Sequence, residues 1–225
     1  MPTTRTPPIQ HRDAIQHRDA PTDALSGLFF ASGVAGLLYQ VCWQRLLFVA
    51  FGSDLPSVAI IVAAFMSGLG LGALAGGALA DRWPSRAVAL FCGCEAGIGL
   101  FGLVSPQVLL AAGDRFVAAP PAVVAAVNFG IVLVPALAMG ATLPILVSHL
   151  ARHLRNVGQA TGQLYAANTL GACVGAMLPA FVLLDHWPVS AVIGGAAAVN
   201  LGVAVLTWAA LRRLQGVHAR PDGAP

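Results

Sequence analysis

The chain has 225 residues, of which 57% are hydrophobic and only 9% charged, with a formal net charge of +3. Water-soluble domains carry about 25% charged residues, so a mean hydropathy of +0.78 excludes an ordinary soluble globule and points to lipid as the solvent. All twelve basic side chains are arginines spread between apolar runs, which is not the clustered footprint of a nucleic-acid-binding surface.

In chain order, residues 1–23 are polar and Pro-rich and hold a tandem hexamer, Ile9 to Ala14 repeated as Ile15 to Ala20. Such a segment reads as a disordered tail. A first membrane span follows over Leu25 to Leu47, with Ser32 and Gly36 as a small-xxx-small pair, Gln40 and Gln44 on either side of Trp43, and Arg45 near its far end. The second span, Pro56 to Ala80, opens with proline in its first turn. Ala64, Gly68, Gly72, Gly76 and Ala80 recur every fourth residue in it, a smooth stripe against which another helix can pack. Gly68 to Ala73 also fits a loose GxGxxA pattern, but a phosphate-binding turn has to leave a strand and open a helix. Within a continuous apolar span the pattern serves packing. Asp81, Arg82 and Arg86 end the span in a charged turn.

The third span, Ala87 to Val104, carries the chain's single glutamate, Glu95, near its middle. Pro106 to Pro121 is mixed in character and reads as an interfacial segment. Span four, Val123 to Leu146, contains Asn128, Pro135 and Pro144, and the prolines predict kinks. His149 and His153 stand four residues apart in a basic turn, with no acid or cysteine beside them to complete a metal site. Span five, Gly162 to Leu184, repeats the small stripe with Ala167, Gly171 and Gly175 and includes Asn168. Span six, Val189 to Leu211, holds Asn200 and is closed by Arg212 and Arg213, leaving 214–225 as a second tail. The fold class is therefore an all-α polytopic membrane protein of six transmembrane helices over residues 24–213.

Six spans put both termini on one side. Ten arginines (5, 12, 18, 82, 86, 152, 155, 212, 213 and 220) fall on that side, while Arg115 falls opposite and Arg45 lies embedded near the opposite end. Positive charge marks the cytoplasmic face, so the expected topology is N-in and C-in.

Candidate chemistry is sparse. An acid at mid-bilayer costs a few kcal/mol even on the insertion scale, about 3, and so faces a partner or a cavity. Glu95 is the sharpest candidate ion or substrate site, with Arg45 as its candidate partner and Gln40, Asn128 and Asn168 as further embedded polar groups. The amides Asn128, Asn168 and Asn200 are expected to bond between helices. The four cysteines sit in apolar runs as small packing residues. No nucleophile–base pair or paired carboxylates stand out. No catalytic residue, metal or cofactor is assigned.

Four segments read together carry a resemblance: Phe29 to Ser53, Val62 to Arg82, Cys94 to Pro106, and Pro135 to Leu146 with Gly162 to Leu184. They resemble the membrane domain of the fused major-facilitator/spermidine-synthase-like proteins of bacteria, over about residues 28–205. The resemblance implies a bundle like half of a major-facilitator transporter. It also makes Asp81, Arg82 and Arg86 a partial match to the cytoplasmic turn of such transporters, with Pro84 where glycine is usual. Gln40 stands where the family commonly has an acid. The synthase domain that usually follows is taken to be absent, since the sequence stops at Pro225, and the chain alone is then expected not to be an enzyme. The implied role is a transporter-like half or membrane platform of a polyamine-related system. The implied partners are the bilayer, a second copy of the chain and a cytoplasmic aminopropyltransferase-like protein, with no nucleic acid. The alternatives are a scaffold for such an enzyme or a truncated family member.

Overall fold

The computed structural model describes residues 10–51, 55–116, 118–152 and 157–218, and side chains within 23–49, 58–116, 118–152 and 157–210. Its elements are α1 (Gln10–Phe51), α2 (Leu55–Arg82), a 3-10 turn (Pro84–Arg86), α3 (Ala87–Phe116), α4 (Pro121–Ala151), α5 (Val157–Leu178), a π-turn (Pro179–Leu183), the short α6 (Leu184–His186) and α7 (Val189–His218). Among the described residues, six stretches are long and apolar enough to cross a membrane: Asp23–Val49, Val58–Arg82, Pro84–Phe116, Pro121–Ala151, Val157–His186 and Val189–Ala210.

Three boundaries differ from the sequence reading. The tail expected to be disordered over 1–23 is helical from Gln10, because extending a formed helix costs far less than nucleating one. The membrane-competent part still begins at Asp23. The second tail is likewise helical from 214 to His218. The third difference is at Pro106, where an interfacial segment was expected. There α3 runs on to Phe116 with Pro106 buried inside it. A mid-helix proline has no N–H for the carbonyl four residues back, here that of Gly102. Ser105 Oγ donates to that same carbonyl at 2.8 Å, so the freed acceptor is paired again and the helix continues. Helix α4 likewise contains Pro135 and Pro144 without interruption. In the fifth span, Pro179 opens the π-turn, where the Leu184 N–H reaches back to the Pro179 carbonyl.

The helices pack chiefly as α2 on α4, α1 on α5 and α3 on α7, with α3–α4 and α1–α7 as the next contacts. Glycine explains the first two. A Cβ on Gly72 would run into the Leu137 carbonyl of α4, and one on Gly76 into Ala141. On the other pair, a Cβ on Gly171 would meet the Phe30 carbonyl of α1, and one on Gly175 that of Val34. Gly140 on α4 faces Leu69, and Gly33 on α1 faces Asn168. Backbones this close gain dispersion contacts along the whole crossing, which is what holds helices together where lipid removes the hydrophobic drive.

The two pairings are copies of one arrangement. Phe30, Gly33 and Val34 on α1 have the spacing of Leu137, Gly140 and Ala141 on α4. Asn168, Gly171 and Gly175 on α5 have the spacing of Leu69, Gly72 and Gly76 on α2. Exchanging α1, α2 and α3 for α4, α5 and α7 leaves the scheme of main contacts unchanged. Three spans per unit give the two units opposite directions across a bilayer, an inverted repeat. One contact breaks the symmetry. Helix α1 packs on α3, whereas α4 and α7 make no comparable contact among the described residues.

Candidate functional site

Two buried apolar clusters fill the bundle. One is built around Trp43 and Tyr39 with Phe65, Ile98 and Ala197; the other holds Phe29, Phe91 and Val203. Along α1, α3 and α7 the residues between them are Ser32, Glu95 and Asn200. A polar layer thus separates two apolar ones.

Glu95 is fully buried at 0% exposure and Asn200 nearly so at 1%. Ser32 Oγ on α1 donates to Glu95 Oε1 at 2.7 Å, and Asn200 Nδ2 on α7 donates to Oε2, also at 2.7 Å. Both lengths lie in the range of charge-assisted bonds. One carboxyl group therefore ties three helices, and it does so on the α1–α3 contact that breaks the repeat. The carbonyl oxygen of Asn200 is buried without a hydrogen-bond partner.

Arg45, the partner expected from the sequence, is exposed and is not what Glu95 bonds. It lies thirteen residues beyond Ser32 on α1, about 20 Å along the axis at the helical rise of 1.5 Å per residue. Gln40 is half-buried one residue beyond the fully buried Tyr39. Asn128 is buried on α4 with its Oδ1 unpartnered. Asn168, half-buried, presents its carbonyl and Oδ1 to Gly33 at the α1–α5 crossing. The two hydrogen bonds to Glu95 come from Ser32 and Asn200 rather than from Arg45, Gln40, Asn128 or Asn168.

Asp81, Arg82 and Arg86 are exposed at the α2–α3 turn. The Arg82 guanidinium lies 5.6 Å from the Trp83 ring centroid, and the Arg86 N–H closes the turn on the Trp83 carbonyl. The side chains of Arg5, Arg12, Arg18, His153, Arg155, Arg212, Arg213 and Arg220 lie outside the described residues. Gly68, Gly72, Gly76, Gly171 and Gly175 are buried at helix crossings.

Ser32 is the site residue sequence reasoning missed as a ligand of Glu95. A signal existed. Ser32 and Glu95 lie seven and eight residues from the starts of their predicted spans, Leu25 and Ala87, and spans one and three cross in the same direction. The two therefore fall at one depth.

Among the described residues, fold and site together define an all-helical protein with six membrane-competent helices, three of which meet at a buried carboxyl group. No family model matches the chain, and no solved structure does. Curated relatives do. The chain is 31% identical over 181 residues to a polyamine aminopropyltransferase of Mycobacterium tuberculosis, covering 77% of this chain and 33% of that protein. It is 31% identical over 186 residues to one of Corynebacterium efficiens, covering 80% and 34%. With polyamine aminopropyltransferase 2 of Streptomyces coelicolor it shares 28% over 195 residues, covering 79% and 34%. The chain spans about a third of the length of these relatives. The expectation that the chain alone is not an enzyme is corrected by them, since the relatives that align with 77–80% of it are named polyamine aminopropyltransferases.

Proposed function

We propose that this chain is the membrane module of a polyamine-aminopropyltransferase system, built as a transporter-like, major-facilitator-type half-bundle with both termini cytoplasmic. The observation that carries this reading is the extent of the similarity. Matches of 181 to 195 residues are too long to avoid the six helices, so what is shared with the aminopropyltransferases includes membrane-competent sequence. The arginine distribution supports the orientation. A buried acid at the junction of three helices supports a transport role, because intramembrane acids mark ion and substrate paths.

In this reading the bundle moves a polyamine or a related small cation across the bilayer, Glu95 serving as the interior acid. Two copies related by an axis normal to the membrane would complete a twelve-helix unit, and an aminopropyltransferase-like protein is the cytoplasmic partner. The test is uptake of radiolabelled spermidine by proteoliposomes holding the full chain, compared with Glu95→Gln. Loss of uptake in a variant that still inserts supports the reading; equal uptake removes Glu95 from it. A second reading, a platform that presents aminopropyl-transfer chemistry at the cytoplasmic surface, is favoured by the exposed Asp81, Arg82 and Arg86 turn. It calls for co-purification with that partner, weakened when Arg82 and Arg86 are replaced.

A further inference from the structure

Among the described residues, no cationic side chain hydrogen-bonds Glu95. Its two oxygens are held by a hydroxyl and an amide, both neutral. The helices packed around it offer little else. On α1 the described titratable or charged side chains are Asp23, Tyr39, Cys42 and Arg45. On α3 itself they are Cys92, Cys94, Asp114 and Arg115, the last two near its far end. Helix α4 contains no Asp, Glu, Lys, Arg or Tyr, and its one histidine, His149, is in the last turn. Helix α7 carries its charge only from Arg212 onward. A carboxylate sealed at 0% exposure, with neutral partners in place of a counter-charge, is strongly disfavoured against its protonated form. The closed packing leaves a proton as the cation that fits.

The second observation is the orphaned Asn200 Oδ1, buried and belonging to the amide that already touches Glu95. In the ionised arrangement it has nothing to accept. Once Glu95 carries a proton, a half-turn of the same amide presents Oδ1 to the new O–H. Ser32 Oγ, a donor and an acceptor, can stay bonded in either state. The cluster therefore has a hydrogen-bonded arrangement for each protonation state.

We propose that Glu95, held by Ser32 and Asn200, is a proton-binding site that takes up and releases one proton at the α1–α3–α7 junction. An O–H bond forms on one carboxyl oxygen, the proton coming from hydronium and leaving water behind; release reverses the step. Charge-assisted bonds are roughly twice as strong as neutral ones, so protonation loosens α1 from α3, and this is the contact that distinguishes the two inverted units. The inference goes beyond polyamine transport and needs only that the bundle spans a bilayer.

Glu95 is the chain's single glutamate, which permits a test without mutation. The full chain, labelled with carboxyl-13C glutamate and placed in lipid nanodiscs, is titrated from mild alkali to mild acid by difference infrared spectroscopy. The expected result is an isotope-shifted carboxylic-acid C=O band that grows as the carboxylate bands shrink, and that moves in frequency in Asn200→Leu. A label that stays carboxylate throughout, or acid throughout, overturns the proposal. Absent spermidine uptake alongside a titrating label would defeat the transport reading and leave this one standing.

Discussion

Trp43 on α1 donates its indole N–H to Ser105 on α3 across 2.8 Å, and both are fully buried. The Ser105 hydroxyl in turn donates a hydrogen bond to the Gly102 carbonyl, the acceptor that Pro106 leaves open. Tyr39 stacks on Trp43 at 5.0 Å between ring centroids, and Phe101 meets the indole edge-on at 5.5 Å. An interhelical contact thus completes a hydrogen-bond ladder that proline interrupts. Ser105→Ala would leave both the indole N–H and the carbonyl unpaired, at a cost of about 1–3 kcal/mol, while Ser105→Thr keeps the hydroxyl. Reversible unfolding in mixed micelles is expected to show a clear loss for alanine and a smaller one for threonine.

Two glycines two residues apart on α2 should respond oppositely. A Cβ on Gly72 would collide with the Leu137 carbonyl, whereas one on Gly70 meets nothing within 4 Å. Gly72→Ala forces α2 and α4 apart and should destabilise. Gly70→Ala should be neutral or gain up to about 1 kcal/mol from helix propensity. The same unfolding measurement separates them, and equal effects would contradict the crossing geometry.

Removing Asn200 alone should hurt more than removing Asn200 and Glu95 together. Asn200→Leu strips one of the two donors from a buried carboxyl group, a loss of about 1–3 kcal/mol. Adding Glu95→Leu removes the stranded acid, and replacing a buried polar set by apolar side chains is often neutral or stabilising. The double variant is expected to be more stable than Asn200→Leu alone. Additive losses would mean that the two residues do not share one interaction.

Orientation can be read by labelling. Asp81 and Asp114 are exposed at the ends of α2 and α3. In intact cells, a membrane-impermeant maleimide should modify Asp114→Cys, and Asp81→Cys only after permeabilisation, each measured against the signal of the chain's own four cysteines. The reverse pattern would invert the topology.

The sequence shows the spans clearly because hydropathy is a sum over some twenty residues, and single errors average out. The glycine crossings are legible for a related reason: a four-residue period of small side chains puts one smooth face on a helix. The partner of each face is not. Nothing local to Gly72 says that it meets Leu137 rather than another helix. Pro106 misled because its cost is local, whereas its remedy, Ser105 held by Trp43, comes partly from a residue 62 positions away in sequence. Glu95 was visible as an anomaly, but charge alone nominated Arg45. The structure paired it with Ser32 and Asn200, neutral groups at the same depth.

The most direct test of the central claim, that this bundle is a polyamine-linked membrane module centred on Glu95, is radiolabelled spermidine uptake by proteoliposomes. The account predicts uptake by the native chain and its loss in Glu95→Gln, with both proteins inserted and equally helical by circular dichroism. Uptake unaffected by the substitution, or none from the native chain, would contradict it.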